Sequence, residues 1–353
     1  MKKIIVAALV LALVTGPAYA AEWNFYGEAK IYTVWFETDE IGGDDGDTEF
    51  IEGLYEAAAI GAEVKVSDQL TAGFEYGTAD GVTDIVLLYG EWNFGSGILT
   101  VGKALSPINV AYSNQLVAGE EEDLGLGGFG DFDQSEITQV KLTFGDFSIA
   151  VIDPEKNAWV SPAFLTNDDI ALYDTQAAIP MIALCYKSTF NMGEFQIAGG
   201  YNTFEIDDNE DIDAYTIGLG TQLNFGAFGV FATFVWGQNM GNMGVDSATG
   251  YQGLAMYDGN EVYDCESIGG TIGVTFAVND MLTLEAGYGY IHDEIDDNAW
   301  TGSESNIAQS YYLQAPITLA PGVTVTPEVG MIDERETGED ETFYFGAAWA
   351  IAF

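Results

Sequence analysis

From Glu22 to Phe353 apolar and polar residues alternate with a period of two, and the 3.6-residue period of an amphipathic helix does not recur. A period of two belongs to a strand with two unlike faces. The first predicted strand, about Glu22 to Glu37, sets Trp23, Phe25, Ala29, Ile31 and Trp35 against Asn24, Tyr26, Glu28, Lys30 and Tyr32. The second, near Gly53 to Val66, sets Leu54, Ala58, Ile60, Val64 and Val66 against Tyr55, Glu63 and Lys65. In the last, Phe343, Phe345, Ala347, Trp349, Ile351 and Phe353 share one face, and small or polar residues share the other. An apolar face opposite a small or polar one is what a strand needs when one side meets lipid and the other a lumen.

Connection lengths turn this pattern into an architecture. Short turns are expected at Ser67–Gln69, Gly95–Gly97, Gly145, Asn191–Gly193, Gly226, Asn279–Asp280 and Ala320–Gly322. Longer connections fall between them, at about 38–52, 80–83, 105–134, 153–179, 205–210, 238–263, 293–305 and 333–340. Seven turns alternating with eight loops separate 16 strands. The expected fold is therefore all-β, a 16-stranded antiparallel transmembrane β-barrel over residues 21–353 with turns on the periplasmic side and loops outside. No second domain is expected within it. Outward aromatics gather near the turns (Trp23, Phe25, Trp92, Phe94, Phe144, Phe147, Phe190, Phe195, Phe225, Phe228 and Phe276), as an interfacial girdle requires, with Trp35, Trp236 and Tyr290 as candidates for the outer one.

The charge agrees with this reading and excludes others. The 353 residues carry 56 Asp+Glu, 9 Lys+Arg and one His, yet 48% are hydrophobic and 13% aromatic. Nine cations cannot build a nucleic-acid surface, and an acidic disordered chain would be poorer in apolar residues. Beyond the first 20 residues no apolar run is long enough for a membrane-crossing helix. Those first 20 read as a signal peptide: Lys2 and Lys3, an apolar Ile4–Val14, then Ala18-Tyr19-Ala20. Cleavage there removes two cations and no acid, leaving −49 on 333 residues. The expected route runs through the periplasm to the outer membrane of a Gram-negative cell.

The alternating C-terminal strand ending on Phe353 resembles the closing strand of bacterial outer-membrane barrels. That resemblance implies that Phe353, with Ile351 and Trp349, is read by the barrel-insertion machinery, and that outer-membrane lipids and lipopolysaccharide surround the wall. A second resemblance, to the general diffusion porins, rests on Gly102-Lys103 closing the fifth strand and on the long connection after it. Residues 104–134 contain Gly119, Gly125, Gly127, Gly128 and Gly130, the acid run Glu120, Glu121, Glu122 and Asp123, and Asp131 and Asp133. In that family the third loop folds into the lumen as the constriction, which implies that these acids stand at the eyelet. It also implies a homotrimer.

By alternation Lys30, Lys65, Lys141 and Lys187 point inward, and the side taken by Lys103 stays open because a strand end there can bend into the loop. Lys30, Lys103, Lys141 and Lys187 are thus candidates for a basic pore wall opposite the acidic loop. The family resemblance implies a transverse field there, although its members use mostly arginine, a more rigid cation than lysine. For Lys65, two residues from Glu63 and close to a turn, simple neutralisation of a carboxylate is the expectation.

The function expected is passive diffusion of small hydrophilic solutes and ions through a water-filled channel. The net charge suggests cation preference, since low-dielectric walls focus a field. The alternatives are a substrate-selective porin and a non-conducting structural or adhesive barrel. No cofactor fingerprint or metal-spaced His is present, and no enzymatic activity is expected. Asp44–Glu49 and Asp207–Asp213 could bind divalent cations but lack the spacing of a calcium loop. Cys185 and Cys265 fall on the eighth and twelfth strands, about 20 Å apart around the wall, too far for a disulfide and so free inward thiols. His292 next to Asp293, with Ser303 and Ser305 nearby, is too loose a grouping to argue catalysis.

Overall fold

The computed structural model describes residues 21–38, 48–54, 58–79, 82–115, 132–160, 174–206, 210–244, 253–257, 261–295, 305–334 and 341–353. The proposed signal peptide, the run Glu120–Asp123, Asp131, Tyr55 and Ser303 lie outside them. The strands are β1 (Glu22–Thr38), β2 (Thr48–Leu54 continued by Ala59–Ser67), β3 (Leu70–Ala79), β4 (Val82–Asn93), β5 (Ile98–Leu105), β6 (Glu136–Phe144), β7 (Phe147–Ile152) and β8 (Met181–Phe190). They continue as β9 (Gly193–Ile206), β10 (Glu210–Phe225), β11 (Phe228–Gln238), β12 (Cys265–Asn279), β13 (Leu282–Ile295), β14 (Ser305–Gln314 and Ile317–Ala320), β15 (Val323–Glu334) and β16 (Glu341–Ala352).

Each strand pairs antiparallel with the next, and β16 returns to β1 in register from Glu28↔Ala352 to Thr38↔Thr342. Phe353 and Gly27 then exchange both backbone bonds, at 2.8 and 2.9 Å. The result is a closed 16-stranded barrel with no free edge. All seven expected short turns are present. Gly95, Gly145, Gly226 and Gly322 take positive φ within them, where a side chain would strain the turn.

Two boundaries differ from the sequence reading. The second strand starts at Thr48 rather than near Gly53, because Thr48–Leu54 continues the ladder on β1. β14 is interrupted at Ala315-Pro316, since proline has no N–H to give to a ladder. There the Pro316 carbonyl accepts from Thr283 N–H at 3.1 Å.

The outer wall is apolar and exposed, as lipid contact requires. Trp23, Phe25, Leu88, Trp92, Phe228, Ile272, Trp349 and Ile351 are all outward and exposed. Near the turns Trp23 stacks on Phe25 and Phe94 meets Phe144 edge-on. At the other rim Trp35 stacks on Phe345 at 5.2 Å and touches Phe50. The expected girdles are therefore present at both ends.

Inward positions carry a second pattern. Tyr26 pairs directly with Gly61, Tyr32 with Gly53, Tyr89 with Gly73, Tyr312 with Gly287 and Tyr344 with Gly330. Each ring lies over its glycine, so that a Cβ built on Gly61 or Gly73 would come within 2.7 or 2.8 Å of it. The aromatic ring shields the bare glycine backbone, and the tyrosine lies along the wall rather than across the lumen.

Candidate functional site: the lumen and its inward loops

At Leu105 the chain leaves the wall. Carbonyls freed from the ladder need new donors, and β6 supplies them. Gln139 Nε2 donates to the carbonyls of Ala104 and Leu105 at 2.5 and 2.9 Å, and Lys141 Nζ donates to Leu105 at 2.7 Å. The two described parts of the third loop then pair with each other, Asn109↔Asp133 and Val110↔Phe132. Ser106 Oγ donates to Gln134 Oε1 at 2.6 Å.

This unit packs on the inner wall of β9 and β10, where the sequence places small residues. A Cβ on Gly218 would run into Phe132, and one on Gly220 into Val110. Ile108, Val110 and Phe132 are fully buried, together with Met181, Met240 and Met243. Met240–Met243 form a single helical turn in the sixth connection. Its Asn242 accepts from Asn157 N–H and donates to Asn157 C=O, both at 2.7 Å, tying the fourth and sixth connections together. Part of the lumen is therefore a packed apolar body, where the alternation predicts a small or polar inner face.

Beyond Val110 the chain stays on the near wall through Tyr112 and then crosses to the far wall. Tyr112 donates to Glu194 at 2.9 Å on β9, and Ser113 donates to the Tyr312 hydroxyl at 3.0 Å on β14. Asn114 donates through its backbone and side chain to the two oxygens of Glu285 on β13, at 3.2 and 2.9 Å. Gln115 Nε2 donates to the Tyr344 hydroxyl at 2.7 Å on β16, and Gln115 Oε1 accepts from Ser310 Oγ at 3.1 Å. Glu285 also accepts from Tyr312 and Gln314, while Glu328 accepts from Tyr344. Glu285 and Glu328 are buried carboxylates held by neutral donors. None of this anchoring set is legible in sequence, because its members lie 82 to 229 residues apart. The available signal is the inward parity of Glu285, Tyr312 and Tyr344.

The expected basic wall is only partly assembled. Lys187 makes a 2.7 Å ion pair with Glu194, the carboxylate that also takes Tyr112. Lys141 is committed to Leu105. Lys103 follows Gly102, which has a φ of +127°, and its Nζ is 3.7 Å from Asp84. Lys30 sits on the inward row of β1 opposite Ala350. Lys65 pairs with Asp68 of the adjacent turn at 2.9 Å rather than with Glu63.

Of the acids proposed for the constriction, Asp133 is described. It accepts from Asn109 Nδ2 and Ser135 N–H, both at 2.6 Å, and burial pushes its carboxyl above the usual range. Three other inward carboxylates, Glu63, Glu75 and Glu91 on β2, β3 and β4, take part in none of the ion pairs among the described residues.

Cys185 and Cys265 are buried and unbridged, on β8 and β12 as expected. His292 and Asp293 are successive residues of β13 and so face opposite sides of the wall. Among the described residues no group of three His, Cys, Asp or Glu side chains could hold a metal.

A family model described as Gram-negative porin matches residues 7–337. No curated protein matches the sequence. The outer membrane channel DcaP of Acinetobacter baumannii superposes with a TM-score of 0.71 at 15% identity, over 94% of this chain and 97% of that one. OmpF of Salmonella typhi, solved in complex with daunomycin, gives 0.64 at 14% identity over 94% and 97%. An anion-selective porin from Comamonas acidovorans gives 0.58 at 13% identity over 94% and 100%. These likenesses agree in fold with the family match, and the chain belongs to the Gram-negative porin family.

Proposed function

We propose that this porin passes small hydrophilic solutes and ions by passive diffusion across the outer membrane and prefers cations. The carrying observation is the imbalance of the inner wall: Glu63, Glu75 and Glu91 face the lumen and join no ion pair among the described residues, while Lys141 and Lys187 are occupied in anchoring. A wall of one sign concentrates counter-ions, and salt screens the effect over about 10 Å at 0.1 M. The acids Glu120, Glu121, Glu122, Asp123, Asp131 and Asp133 are proposed to add to it at the constriction, opposite Lys30. The test is the reversal potential in a planar bilayer under a KCl gradient. A K⁺ over Cl⁻ permeability ratio above one that falls with salt supports the reading, and a ratio at or below one overturns it.

A narrower, substrate-selective channel is the second reading, favoured by the apolar body of Ile108, Val110, Phe132, Met240 and Met243. It would show saturable transport of one solute class. Cleavage of residues 1–20, insertion directed by Trp349, Ile351 and Phe353, a surround of lipid and lipopolysaccharide, and assembly as a homotrimer complete the proposal. One of the related folds, OmpT of Vibrio cholerae, is described in a trimer form.

A further inference from the structure

We infer that the inner face of β1–β4 binds organic cations bearing ammonium or guanidinium groups, an inference that rests on the channel reading and narrows its solutes. Two kinds of feature meet on this face. The first is charge: Glu63, Glu75 and Glu91 occupy inward positions of three successive strands, and Lys65, the expected neutraliser of Glu63, turns instead to Asp68. The second is aromatic. Tyr89 pairs with Gly73, which on its other side pairs with Glu63, so the ring lies on the bare glycine between two strands. Tyr26 lies likewise on Gly61, whose other partner is Glu75.

Ring and carboxylate thus alternate across the ladder, and each ring lies flat because a glycine beneath it leaves the space. A ring backed by the wall turns its other face to the lumen. A cation over that face gains from the ring quadrupole, and the neighbouring carboxylates supply its counter-charge and hydrogen-bond acceptors. A small hydrated metal ion gains from the carboxylates alone, whereas a flat or alkylated cation also gains from the rings. The described part of the third loop is anchored on β9, β13, β14 and β16, which leaves β2–β4 free of its hydrogen bonds.

The experiment is the block of K⁺ current through the full-length channel by argininamide, with glucose as a neutral control. Saturable block by argininamide and none by glucose is expected. The joint substitution E63Q/E75Q/E91Q should raise the half-blocking concentration about tenfold, a change of about one decade in affinity, and should also lower K⁺ over Cl⁻ selectivity. Tyr89→Leu should raise it severalfold and leave ion selectivity unchanged, while Tyr89→Phe, which keeps the ring, should match wild type. Unitary conductance of each variant reports that its barrel is intact.

Undiminished block in the triple variant, equal block by glucose, or an ion-selectivity change in Tyr89→Leu as large as its change in block would each overturn the inference. A cation-preferring channel without saturable block overturns it alone. A silent channel overturns the porin reading on which it rests.

Discussion

The side-chain amide of Gln115 donates to the hydroxyl of Tyr344 at 2.7 Å, joining the third loop to the strand that closes the barrel 229 residues later. Tyr344 is fully buried and donates its own hydroxyl hydrogen bond to Glu328 at 2.8 Å. The loop is thereby fastened to the seam of the cylinder.

Tyr344→Phe removes both bonds and leaves the Gln115 amide and the Glu328 carboxylate each short of a partner. The loss is expected to be about 1–3 kcal/mol, the desolvation cost of buried polar groups. It should appear as faster amide exchange at residues 112–115 and as increased open-channel noise. Unchanged exchange there would show that Asn114 and Glu285 hold the loop without it.

Gly220→Leu places a side chain where Val110 sits. Overpacking of this kind costs about 1–3 kcal/mol, and the loop can yield more readily than the ladder of β10. The expected result is a barrel that still folds, with lower conductance because the loop is pushed off the wall into the lumen. A loss of folded barrel with unaltered conductance of the remainder would contradict it.

Asn242→Ala strips Asn157 of a donor and an acceptor at once and removes a buried side chain. An effect of about 2–4 kcal/mol on the packing between the fourth and sixth connections follows from two orphaned backbone groups. Hydrogen exchange at residues 155–158 and 240–244 should rise together, with the ladder between β9 and β10 unaffected.

Loop packing should weaken as pH rises. Burial raises the carboxyls of Asp133 and Glu155 above their ordinary values, so the folded state holds their protons more tightly than the unfolded one. The packed loops are accordingly most stable below the ordinary carboxylate range and lose stability as pH climbs through it toward the raised values. Amide exchange at 106–110 should be slower at low pH than near neutrality after correction for intrinsic rates. Asp133→Asn, which keeps an acceptor for Asn109 and Ser135, should flatten the dependence at those residues.

The strand order, the seven turns, both aromatic girdles and the inward side of Lys141 and Lys187 were all legible in one dimension. Each depends on a period of two or on a nearby glycine, and neither needs a distant partner. The roles of those lysines were not legible. Parity aims Lys187 at the lumen, but only the pairing of β8 with β9 sets Glu194 within 2.7 Å of it. In the same way Lys65 looks like a partner for Glu63 until the turn brings Asp68 closer.

What the sequence determined by itself is the membrane-facing side of this protein, because lipid acts on each residue singly and demands only that every outward position be apolar. The lumen was decided by tertiary structure. Its anchors, its apolar body and its ring-on-glycine pairs join residues that meet only when sixteen strands close in one register. A single-residue slip would turn each of them to the other face.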